Sequence, residues 1–160
     1  MDFGTAIKTC FSKYAVFAGR AARSEYWYFC LFNILIGFAL FFAALFTAAM
    51  IGATASGGIA NHSSLGLAGV AGLAAFLGIF VVLVGIYALA VLLPSLGVTV
   101  RRFHDLNVSG WFLLLFMVLA CIPVINFFAG LAQLIWFCMP GTSGTNKYGP
   151  DPLAETTSGA

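Results

Sequence analysis

The sequence predicts an all-α integral membrane protein, a helical bundle of three transmembrane helices, or of four if residues 111–139 form a hairpin. Three observations carry that expectation. Of 160 residues, 62% are hydrophobic and 8% charged, against averages of ~45–50% and ~25% in soluble domains. The mean hydropathy is +1.04, and so few charged side chains cannot make a polar skin for a soluble domain. Between Glu25 and Lys147, formal charges occur only at Arg101, Arg102 and Asp105, which divides the chain into long uncharged apolar runs. By length this is one domain, expected over residues 1–152, with residues 153–160 as a disordered tail.

Residues 1–25 carry Lys8, Lys13, Arg20 and Arg23 among several aromatics. Phe3, Ile7, Phe11 and Tyr14 recur at helical spacing, which predicts a short helix lying in the membrane interface. Gly19 breaks the pattern and lets the chain turn toward the bilayer. A cleaved signal would place its apolar run directly behind a short basic start. Here that run begins near Tyr26, so the first span is expected to be retained.

The first span is expected near residues 26–51, long enough at ~20 residues per ~30 Å of hydrocarbon, with Tyr26, Trp27 and Tyr28 as an aromatic belt at its entry. Asn33 reads as an interhelical hydrogen-bonding group. The uncharged, turn-rich residues 52–64 read as a loop. A second span is expected near 74–98. Gly66, Gly69 and Gly72 before it are read as loop or a separate short helix, Ala71/Ala75 and Ala74/Gly78 as small-residue contacts, and Pro94 as a kink near the inner end. The third apolar stretch, 111–139, has Pro123 near its middle. A single kinked helix and a hairpin with arms of about 12 and 13 residues, each short of the ~20-residue span, both remain open. Lys/Arg asymmetry puts the amino terminus and the 101–110 turn in the cytosol.

Three polar clusters interrupt the apolar runs: FAGRAARSEYW (17–27), RRFHDLNVSGW (101–111) and PGTSGTNKYGPDP (140–152). Together they resemble the family catalogued as domain of unknown function 805, small bacterial inner-membrane proteins. The matches are Gly19, Arg20, Arg23, Glu25, Tyr26 and Trp27; then Arg101, Arg102, His104, Asp105, Ser109, Gly110 and Trp111; then the Pro140–Pro152 segment. The chain departs from the family pattern in a long 52–73 linker and a Ser/Gly/Ala-rich tail. The resemblance implies a bacterial inner-membrane address and a helical fold, and no established activity.

The chemistry of these clusters allows several roles. Arg20, Arg23, Arg101 and Arg102 with Glu25 and Asp105 can form an ion-pair network between the first two spans; in a helix Arg101 and Arg102 lie at i,i+4 and i,i+3 from Asp105. The same arginines, in excess over the acids, can bind anionic headgroups of the cytosolic leaflet or a partner protein. His104 joins the acids and arginines as a candidate ligand-binding residue, with Trp27 and Trp111 as interfacial anchors. Ser109 reads as part of the N-cap region of the helix beginning at Trp111. A membrane enzyme using His104 and Asp105 lacks an adjacent nucleophile. An oligomeric channel or transporter lacks ionisable groups inside the spans. Cys10, Cys30, Cys121 and Cys138 have no metal-ligand spacing, and His62 is expected on the far membrane face, so no metal or cofactor is expected. The small net charge of +2 gives no reason to expect nucleic acid as a partner. Membrane lipid, a further copy of the chain or a membrane-protein partner fits better.

Overall fold

The computed structural model describes residues 1–56 and 62–154. Its helices are α1 (Phe3–Ser12), α2 (Arg23–Ser56), α3 (His62–Asp105), α4 (Phe112–Leu119) and α5 (Pro123–Cys138). No strand occurs among the described residues; one isolated bridge joins Asn146 and Gly149. The chain divides into two compact units, one of residues 1–31 and 92–160, the other of residues 32–91. Helices α2 and α3 run through both.

Among the described residues, two helices are long and apolar enough to cross a membrane, over Arg23–Ala53 and Gly69–Asp105. The expected 52–64 loop is shorter than its composition suggested. Small residues such as Ala53 and Gly52 remain helical, α2 reaching Ser56 and α3 starting at His62; residues 57–61 lie outside the described ones. The glycine-rich start of the second run is likewise neither loop nor separate helix, since α3 is continuous and also passes through Pro94. The expected disorder at 153–160 concerns residues that, from 155 onward, are outside the described ones.

Within the 32–91 unit, α2 and α3 are antiparallel. Tyr87 Oη donates to Asn33 Oδ1 at 2.7 Å, the amide contact expected of Asn33. Phe41 packs edge-on against Phe76 and Phe80. The backbones approach closely at Gly72, where a Cβ would sit 3.5 Å from Ala48 O and 3.7 Å from Gly52 Cα. This close approach falls on the buried Ala44 and Ala48 side of α2, while Gly78 has nothing within 4 Å of its Cβ position.

In the other unit, the third apolar stretch takes the hairpin alternative. Pro123 occupies the first turn of α5, where its missing N–H costs nothing and its fixed φ suits a helix start. It begins a helix and does not kink one. Helices α4 and α5, with 8 and 16 residues, rise ~12 and ~24 Å at 1.5 Å per residue. Trp136, near the end of α5, packs against Phe112 and Phe116 of α4, so the chain returns to the level where it left α3. Helix α3 stops because Asn107 adopts a left-handed φ of 60°. The N–H groups of Asn107 and Val108 then turn back to His104 O and Phe103 O at 3.0 Å each, a Schellman ending.

Candidate functional site

All three polar clusters meet within one unit. The helical spacing of α3 offers Asp105 to either preceding arginine, and packing separates them. Arg102 Nη1 pairs with Asp105 Oδ2 at short range, while Arg101 Nη1 turns to Glu25 Oε1 of α2 at 2.8 Å. Arg20, from the turn before α2, sets Nε 3.0 Å and Nη2 2.9 Å from the other oxygen, Asp105 Oδ1. Arg20, Arg101, Arg102, Glu25 and Asp105 are all buried.

Main-chain carbonyls take up most of the remaining donors. Arg20 Nη1 donates to Gly144 O at 2.5 Å and Nη2 to Thr142 O. Arg102 Nη2 donates to Phe137 O at 3.0 Å and Met139 O at 2.5 Å, and Arg101 Nε to Gly97 O at 3.3 Å. Three guanidinium groups against two carboxylates leave one net positive charge in the network. It faces the C-terminal carbonyl ends of α5 and the tail loop, where partial negative charge favours cations. Arg101 is the least satisfied member: its Nη1 hydrogen is not aimed at Glu25 and its Nη2 has no hydrogen-bond partner.

The tail closes over the end of α3. Thr142 N and Oγ1 both donate to Asp105 O, at 2.9 and 3.0 Å, and Asn146 Nδ2 donates to His104 O at 2.9 Å. Gly141 lies so close that a Cβ there would collide with the Asp105 carboxylate. This explains the glycine of the PGT motif physically. Asp151 caps the loop, accepting from Leu153 N at 2.9 Å and Gly144 N at 3.2 Å. The Leu153 N–H, with smaller help from Gly144 and Arg20, holds its carboxyl below the ordinary 3.8.

The other expected site residues lie outside this network. Arg23 is exposed and donates to Cys138 O at 3.3 Å. His104 stacks flat on Tyr148, centroids 3.9 Å apart, with Nδ1 3.2 Å from Gly19 O. Trp27 and Trp111 are 36% and 74% exposed. Ser109 Oγ accepts from Trp111 N at 3.4 Å and is not the cap of α4, whose N-cap residue is Trp111 with no side-chain cap bond. Asp105 and His104 point into different surroundings, the carboxylate into the arginines and the imidazole onto Tyr148.

The same three motifs decide the lineage. Residues 14–150 match the family described as Protein of unknown function (DUF805).

The chain belongs to that family.

Two Escherichia coli K12 proteins of similar length are related to it in sequence. Inner membrane protein YhaI is 34% identical over 140 residues, 87% of each chain. Inner membrane protein YhaH is 34% identical over 142 residues, 89% of this chain and 91% of that protein. No solved structure matches it. This DUF805 chain is thus a helical membrane protein whose relatives are inner-membrane proteins. Sequence reasoning had not ranked Thr142, Asn146, Tyr148 and Gly141 among the site residues, though all four stand in its third motif. Cys10, whose thiol lies 3.8 Å from Glu25 Oε1, carried no signal beyond its helical position.

Proposed function

We propose that the chain is a non-enzymatic inner-membrane module, amino terminus in the cytosol, whose exposed basic residues Lys8, Lys13 and Arg23 bind anionic lipid headgroups. The buried arginines Arg20, Arg101 and Arg102 act as the clasp that holds that surface in place. Their burial and their carbonyl partners leave little room for an external phosphate, so headgroup binding falls to the exposed cations.

The observation that carries the proposal is the division of α1 into sectors. Ala6 and Cys10 are fully buried, one turn apart, against the body. Phe3 and Phe11 are exposed on the adjoining flank, Tyr14 is exposed just past the helix end, and at ~100° per residue Lys8 falls opposite the buried strip. Phe3 and Phe11 also touch Tyr28 and Phe29 at the entry of α2, at the level of Glu25. A helix with this distribution lies in the interface plane. Each juxtamembrane basic residue adds ~1 kcal/mol of attraction to an anionic leaflet, and all seven Lys and Arg residues belong to this end of α2 and α3 or to the tail loop that closes over it, as cytosolic orientation requires.

The test is the lipid that accompanies the protein out of a mixed membrane. Anionic lipid should be enriched over bulk with wild type and return to the bulk ratio with Lys8→Gln/Lys13→Gln/Arg23→Gln, with unchanged thermal unfolding. No enrichment with wild type would sink the proposal. Enrichment that survives the triple variant would move the binding elsewhere.

A further inference from the structure

Beside the clasp runs an open groove of about 490 Å³ that none of the ion pairs uses. Its polar end is formed by His104, Ser109 and Tyr148, and its apolar length by Phe17, Val100, Trp111 and Leu114. The His104 ring is fixed on two sides. Its Nδ1 faces the Gly19 carbonyl, which can only accept, so in the neutral ring Nδ1 carries the hydrogen and Nε2 carries a lone pair. Nε2 lies over Gly110, where a Cβ would come within 3.2 Å of it and within 2.8 Å of Val100 Cγ1. Glycine at 110 therefore keeps this end of the groove open.

The groove's chemistry changes along its length as a phospholipid's does. Leu114 continues onto an exposed apolar side of α4 with Met117 and Val118, three and four residues further on, a surface that a membrane-embedded hairpin presents to acyl chains. At the other end Lys147 Nζ stands 4.9 Å from the Tyr148 ring, on which His104 stacks, so a positive charge for a phosphate lies one ring away from the acceptor for a headgroup donor. We infer that the groove seats one phospholipid of the surrounding bilayer, its chain along Leu114 and Trp111 and its headgroup at His104. The acceptor at Nε2 favours headgroups with an ammonium N–H or a hydroxyl, of the ethanolamine or glycerol class, over choline, which has no donor. The site is separate from the α1 lysines and stands without them.

Short-chain phosphatidylethanolamine, phosphatidylglycerol and phosphatidylcholine, offered to the full-length delipidated protein in mild detergent and followed by native mass spectrometry, test this. Wild type should take up one ethanolamine or glycerol lipid about fivefold more tightly than choline lipid, the worth of one hydrogen bond. Leu114→Trp, which fills the groove from an exposed position, should abolish uptake, and Leu115→Trp on the same helix should not. His104→Phe should keep a ring against Tyr148 and erase the headgroup preference. Should that variant fail to fold, the wild-type preference and the two tryptophan variants decide. Equal binding of choline lipid, undiminished binding by Leu114→Trp, or equal competition by chain-free glycerophosphoethanolamine would overturn the assignment. Lys8→Gln/Lys13→Gln/Arg23→Gln should leave this uptake intact, which separates its failure from that of the interfacial helix.

Discussion

Arg20 holds Asp105 across 85 positions of sequence, with Nε 3.0 Å and Nη2 2.9 Å from the same carboxylate oxygen. Arg102 occupies the other oxygen. One buried carboxylate therefore compensates two buried guanidinium groups and ties the turn before α2 to the end of α3.

Asp105→Ala should cost ~3–5 kcal/mol, because removing a shared partner strands buried charge. Denaturant unfolding in detergent checks it. The loss should exceed that of Arg23→Ala, whose guanidinium is exposed and makes one long bond to Cys138 O. Equal losses would mean that the buried network contributes no more than a surface contact.

Gly141→Ala should destabilise by ~1–3 kcal/mol, as overpacking does, since its Cβ meets the Asp105 carboxylate. Gly130→Ala in α5 is the control: nothing lies within 4 Å of its Cβ, and a helical Gly→Ala change is worth roughly 0.5–1 kcal/mol of stabilisation. Thermal unfolding of the two variants should move in opposite directions.

The Cys10 thiol is fully buried, and burial, reinforced by the Glu25 carboxylate, pushes it up from 9.0 to about 12. It should resist alkylation at pH 8 until the protein unfolds. Because the folded state holds this proton more tightly, its contribution to stability is complete below about pH 9 and declines as pH rises from there toward 12. Cys10→Ser should flatten part of that alkaline decline in an unfolding series against pH.

The hairpin of α4 and α5 returns the tail to the arginines of α2 and α3, where Arg102 meets Phe137 O and Arg20 meets Gly144 O. Reporters fused before Met1 and after Ala160 should therefore register the same side of the membrane. Opposite sides would contradict the packing of Trp136 on Phe112.

The sequence by itself determined the helical membrane class, the polar clusters and the short helix among the first residues. Each depends on composition or short-range period: apolar length, aromatic spacing, and charges confined to a few positions. Only tertiary structure decided which partner each charge takes. Along α3, Arg101 and Arg102 are both within helical reach of Asp105, so local spacing cannot choose. Adjacent residues point ~100° apart on a helix, and the neighbours on each side make the choice. Arg101 faces Glu25 of α2, while Arg102 faces Asp105 and the carbonyl end of α5. The same holds for the third apolar stretch. Pro123 permits a kink or a helix start, and the packing of Trp136 against α4, a contact between residues twenty or more positions apart, makes it a hairpin.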